Sequence, residues 1–175
     1  RPNKRTSLVV DPPDGKIPPR TPEAQKLRVG RGRYEGVENL EDLTLGERCV
    51  TFGGPPLLPA AYNSNYIIVQ TPGYVFIEAE RGEFRIVPLD GRPRLSQDVY
   101  RWNGDPRGHW EGNTLVVETT NFRPGATYQS SNPKTLRITE RFARVDADTI
   151  EYKYTVDDPS TWTKPWTAII PMSQV

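Results

Sequence analysis

The sequence predicts an all-β, mainly antiparallel fold. It is an up-and-down meander closing into a calycin- or lipocalin-like barrel, with an extended Pro-rich N-terminal arm and one short helix. Three observations point there. The 18 prolines crowd toward the first third of the chain. From Tyr66 onward, β-branched and aromatic runs recur at short spacing, separated by turn dipeptides. Little helical periodicity interrupts them. At 175 residues the chain fits a single domain. Residues 1–65 read as arm, short helix and irregular cover, and 66–175 as the barrel core.

The elements follow in order. "TSLVV" reads as one short strand. "DPPDGKIPPRTPEAQ" favours polyproline or turn geometry, because proline fixes φ and lacks an N–H. In "TPEAQKLR", Thr21 is placed as N-cap, Pro22 at the first helical position and Glu23 in the first turn, so a short helix starts there. "GRGRYEGVENLEDLTLGERC" is polar and reads as loop, and "GGPPLLPAAYNSN" as an irregular arm. "YIIVQT", "YVFIEAE" and "EFRIVPL" are consecutive strands, broken at Pro72-Gly73 and Arg81-Gly82. "HWEGNTLVVETTNF", "KTLRITERFARV", "DTIEYKYTVDD" and "PWTAIIPM" bring the strands from Tyr66 to roughly eight. Closure would remove the exposed edges such a meander leaves. Asp90-Gly91 and Asp105 read as turn residues.

Register sharpens this. With Gly112-Asn113 as a two-residue turn, Trp110 pairs with Leu115 and His109 with Val116. Trp110, Leu115, Val117 and Thr119 then share one face, and Arg107, His109, Glu111, Val116 and Glu118 the other. His109 and Glu118 become diagonal neighbours within reach of a charge-assisted contact. They are either a solvated outer face or an acid/base pair. A three-residue loop at Asp146–Asp148 sets Phe142 opposite Tyr152 and Glu140 opposite Tyr154. The inward set is then Leu136, Ile138, Glu140, Phe142, Ile150, Tyr152, Tyr154 and Val156, apolar or aromatic except for Glu140. A carboxylate there must be bonded, paired or protonated. It is either a structural Glu–Tyr or Glu–Arg contact, with Tyr154 the natural donor, or a ligand-facing acid with a raised pKa. "YNSNY" sets Tyr62, Asn63, Asn65 and Tyr66 at the mouth of the first core strand. "STWTKPWT" adds Trp162 and Trp166, which either pack the core or stack on a ligand with Phe142, Tyr152 and Tyr154.

The inventory excludes much. Lys+Arg number 23 and Asp+Glu 22, for a net charge of +1 with no basic stripe, which disfavours nucleic acid. No apolar run approaches the roughly 20 residues of a membrane span. Cys49 is the single cysteine and His109 the single histidine, so neither an internal disulfide nor a tight transition-metal site is expected. Cys49 reads as a buried structural residue. There is no Gly-x-Ser-x-Gly elbow and no phosphate loop, and no cofactor is expected.

Long motifs carry a resemblance: "RTSLVVDPPDGKIPP", "YNSNYIIVQTPGYVFI", "RIVPLDGRPR", "GDPRGHWEGNTLVVETTNF" and "ERFARVDADTIEYKYTVDDPSTWTKPWTAIIPM". Over nearly its whole length the chain resembles a large family of uncharacterised, apparently exported bacterial proteins. The resemblance implies export and supplies no activity and no site residues. Against that pattern the chain looks trimmed at both ends, lacking a strand of "Gly-Val-Trp" type and a tail rich in Tyr, Cys, His and Glu. Three functions are expected to compete. The first is binding of a small, partly apolar or aromatic molecule in the lumen. The second is a cofactor-independent hydrolase, lyase or isomerase using Glu140, or His109 with Glu118, as general acid/base. The third is an assembly module, with a homo-oligomer formed through the N-terminal arm.

Overall fold

Side chains that fit a pleated surface make strands wherever turn residues let the chain reverse. A computed structural model of the protein describes residues 6–26, 39–40, 43, 45–51, 54–60, 64–80 and 82–174. The strands are β1 (Val9–Asp11), β2 (Tyr66–Thr71), β3 (Tyr74–Ala79), β4 (Phe84–Pro88), β5 (Asp105–Glu111), β6 (Thr114–Thr120), β7 (Arg137–Arg144), β8 (Thr149–Asp157) and β9 (Trp166–Ser173). Among the described residues there is one α-helix, the four-residue α1 (Pro22–Gln25), which starts where the capping pattern places it. The hydroxyl of Thr21 accepts from the Ala24 N–H at 3.1 Å.

All ladders between named strands are antiparallel. They form a six-stranded sheet in the order β1-β9-β8-β7-β6-β5 and a separate three-stranded sheet, β2-β3-β4. Among the described residues no closed barrel is found. Consecutive strands β4 and β5 lie against each other without a ladder, and neither β1 nor β9 pairs with β2. The close approach of β4 to β5 depends on Gly108. A Cβ there would stand 2.7 Å from Val87 Cγ1 and 2.7 Å from Leu89 Cδ2, distances at which carbon atoms overlap. The first strand of the arm is paired within this chain. Its β1 lies along this chain's own β9, with Val9 beside Ala168.

Both expected registers hold. The β5–β6 hairpin turns at Gly112-Asn113, with Gly112 in the left-handed region at φ 56°, and pairs Trp110 with Leu115 and His109 with Val116. The β7–β8 hairpin pairs Phe142 with Tyr152 and Glu140 with Tyr154. Because side chains alternate, these registers decide which residues face inward. Leu136, Ile138, Phe142, Tyr152, Tyr154 and Val156 are buried against Val75, Ile77 and Val87 of the smaller sheet. Each such side chain, fully buried, is worth about 1.5–3 kcal/mol relative to exposure, so this shared interior is what joins the two sheets.

Two local expectations are corrected. Cys49 is exposed, with a left-handed φ of 54°, so it is no core residue. Asp105 is not a turn residue but opens β5, buried. Its carboxylate accepts from Arg107 Nη1 at 2.6 Å and from the Leu95 N–H at 3.1 Å, which satisfies its charge.

Candidate functional site

Glu140 projects from the middle of β7 into the interior and is 0 % exposed. Its partner comes from the opposite sheet. Arg85 of β4 sits on the inward face beside Ile77 and Val87, and its guanidinium donates twice, Nη1 to Oε2 at 2.5 Å and Nη2 to Oε1 at 3.0 Å. Two parallel N–H···O bonds are the strongest geometry available to this pair. Burial opposes the charge on Arg85, but the adjacent Glu140 carboxylate outweighs it and raises the guanidinium above its ordinary value. Tyr152 completes the set. Its hydroxyl donates to Glu140 Oε1 at 2.7 Å and accepts from the Leu57 N–H at 2.9 Å. Burial first, and the Glu140 charge second, push its phenol well above the usual range, so it stays a donor.

This fixes the role of Glu140. Of the two readings the sequence leaves open, the structural contact is the one found, through Arg85 and Tyr152. Tyr154, directly opposite in register, does not serve as donor. Its hydroxyl meets Tyr128 instead, and burial raises its phenol. Both carboxylate oxygens are engaged, Oε1 by Arg85 and Tyr152 and Oε2 by Arg85, and the side chain is fully buried.

The outer face of the same sheet is arranged differently. His109 and Glu118 do not pair. The His109 ring lies 3.2 Å from Glu111 Oε1, two residues along its own strand, and Glu118 takes Arg94 Nη2 at 2.6 Å. Glu111 also accepts from Arg141 Nη2 at 2.6 Å, and Arg141 first, then His109, hold its carboxyl below the usual range. The His109 and Glu111 side chains are about half exposed, 55 % and 48 %. They form a solvated charge ladder rather than a shielded acid/base pair.

The aromatic candidates divide. Phe142, Tyr152, Tyr154, Trp162 and Trp166 are buried and pack against one another in tilted and edge-to-face contacts, with ring centroids 4.9 Å apart for Phe142–Tyr152 and 6.0 Å for Trp162–Trp166. They fill the interior, and none of them lines the main cleft. Asn65 and Tyr66 do line one, and Tyr62 and Asn63 lie outside the described residues. The cavity is a cleft of about 590 Å³ at the seam between β2 and the far ends of β8 and β9. Leu57, Leu58, Ile68, Ile150, Ile170 and Met172 make it apolar, and Asn65, Asp148, Thr149 and Gln174 stand at its lip. Tyr66 donates to the Leu58 carbonyl at 3.0 Å, and Asn65 donates through its side-chain amide to Glu80 at 3.0 Å, so both are held in place.

Sequence reasoning misses Arg85, Leu57 and Asp158. An arginine alternating with valine in "FRIVP" is the available signal for the first. Leu57 has none, since its role depends on a backbone N–H meeting Tyr152. Asp158, in "DDPSTW", is buried and gathers the Asn132 N–H, the Thr135 hydroxyl and the Ser160 N–H and hydroxyl. An Asp-Pro-Ser run is the turn signature that could have revealed it.

Among the described residues no group of three or more His, Cys, Asp or Glu is placed to hold a metal ion, and no helix is long and apolar enough to cross a membrane. No family model, curated protein or solved structure matches the chain.

Proposed function

We propose that the protein is a binding protein whose site is the seam cleft, taking a small, partly apolar ligand. In this reading the two sheets act as a calycin-like barrel left open along one side, and the opening, not a central lumen, receives the ligand. The observation that carries it is the apolar lining of a cavity of about 590 Å³ with a polar lip, within the size range of small-molecule sites, roughly 300–1,000 Å³. The interior is packed with aromatic side chains, which moves binding from the lumen to the rim. Catalysis has no comparable support, because Glu140 is buried and ion-paired and His109 stands in solvent. A place of action outside the bacterial cytoplasm is proposed on the motif resemblance alone.

The test uses 1-aminoanthracene, a neutral apolar fluorophore. Saturable binding to the wild type is expected, weakened about ten-fold by Ile68→Glu, since a charge at the cleft wall must be desolvated by an apolar ligand. Absence of saturable binding, or equal binding to the variant, rejects the reading.

A further inference from the structure

β2 is the outer strand of its sheet, with β3 along one edge and, among the described residues, no strand along the other. The Glu80 N–H donates to the Asn65 carbonyl at 2.9 Å, which makes residues 65 and 80 a hydrogen-bonded pair. Bonded pairs alternate in an antiparallel ladder, so 67–78, 69–76 and 71–74 follow. Ile68 and Gln70 therefore turn their backbone N–H and C=O groups toward the open edge. Their side chains point toward the larger sheet. Ile68 lines the seam cleft, and Gln70 lines an adjoining hollow with Trp110 and Asn113. Arg144 and Ala147 border both, so the two cavities adjoin and together make the groove beside β2.

Open edges invite pairing, and proteins commonly blunt them with charge, proline or bulges. β9 is blunted. Its Ile169 N–H donates to Leu8 on the β1 side, so Pro171, two residues on, faces the same side and has no N–H to offer. β2 has no such guard, since Tyr-Ile-Ile-Val-Gln-Thr contains neither charge nor proline. The wall across the groove carries two carboxylates, Asp148 in the cleft and Asp146 in the hollow, against the one guanidinium of Arg144, which borders both, so it is acidic on balance. Asp148 forms no ion pair among the described residues. Arg144 turns back on its own loop, donating to the Asp146 and Ala147 carbonyls.

From this we infer that the ligand is an extended peptide segment that adds to β2 as a further strand. Alternate apolar side chains enter the cleft, and a lysine or arginine meets Asp148. The inference rests on the cleft being a binding site and names what fills it. Main-chain bonds to Ile68 and Gln70 supply part of the affinity, and the pockets supply selectivity. A second copy of β2 fits less well, because that strand brings no cation to the acidic wall.

The test pans a phage library of random heptapeptides against the wild type and against Gln70→Pro. This proline removes only an outward N–H and leaves the β2–β3 ladder intact, which circular dichroism and Tm check. The expected winners alternate apolar residues and carry one Lys or Arg. Synthetic copies lose about ten-fold in Kd on Gln70→Pro and several-fold on Asp148→Asn, a surface variant that does not touch the edge. No enrichment, or equal binding to Gln70→Pro, overturns the inference. So does a wild-type dimer in sedimentation that Gln70→Pro dissolves, which would put a second copy on the edge. If 1-aminoanthracene binds while no peptide does, the inference falls and the cleft reading stands. If neither binds, both fall.

Discussion

Glu118 and Glu140 sit on neighbouring strands, one residue out of register, since Glu140 is paired with Val117. That single step puts them on opposite faces of the same sheet, and everything else about them differs. Glu140 is sealed from water and bonded at both oxygens by Arg85 and Tyr152, which tie the two sheets together. Glu118 is 36 % exposed and held by Arg94, itself about a third exposed. The comparison teaches that a carboxylate's role in a β protein is set by the face it occupies and by what crosses from the other layer. A buried pair is weak evidence for net stability, since an apolar pair of equal volume serves as well, but breaking one partner leaves a bare charge inside.

The largest effect expected from this contrast is at the buried member. Glu140→Gln leaves the Arg85 guanidinium without its counter-charge and should cost about 3–5 kcal/mol in urea unfolding. The double variant Glu140→Leu/Arg85→Met should return to within about 1 kcal/mol of the wild type. A single variant as stable as the wild type would mean that Glu140 is not enclosed. Next comes Asp158, which sharpens the contrast as a buried carboxylate with hydrogen bonds and, among the described residues, no cation. Burial pushes its carboxyl up, but bonds from Thr135, Thr161, Ser160 and the Asn132 N–H prevail and hold it below the ordinary value. A folded-state value below the unfolded one means the contribution is complete above the unfolded value, near about 3.9, and is lost as pH falls through the folded one. Asp158→Asn should therefore cost about 1–3 kcal/mol at pH 7 and flatten the acid limb of the stability curve. An unchanged acid limb would place the titration elsewhere. The smallest effects belong to the outer face. Glu118→Gln should change stability by at most about 1 kcal/mol and His109→Ala by less than about 0.5 kcal/mol. Ligand binding should be unchanged in both, and a large loss in either would break the division between faces.

Much of the larger sheet is legible in the sequence because turn chemistry and a period of two fix register together. Gly112-Asn113 and Asp146–Asp148 alone place the paired positions of β5–β8 on the correct faces. Closure is not legible. Whether β4 continues into β5 as a ladder depends on twist and on a single close contact at Gly108, neither of which leaves a local pattern. Partner choice is half legible. The need of Glu140 for a partner follows from its apolar neighbours, but Tyr154 lies opposite in register while Tyr152, one pair away on the same face, has the hydroxyl that reaches. Arg85 comes from a strand whose two faces are both apolar, Phe84 and Ile86 on one and Val87 on the other, so alternation does not say which face is inner. His109 and Glu118 share a face as expected but do not join, because Arg94 arrives from a loop that no periodicity describes.

The Leu57 amide draws a consequence from the polar chain inside the molecule. It belongs to an irregular segment, where backbone protons ordinarily trade with solvent in fast local openings. Here it is anchored on the Tyr152 hydroxyl and, through it, on the Arg85–Glu140 clasp. Deuterium uptake at this one position should then run as slowly as in the central strands, which would make the apolar wall of the cleft a spectroscopic gauge of whether the two layers are still joined.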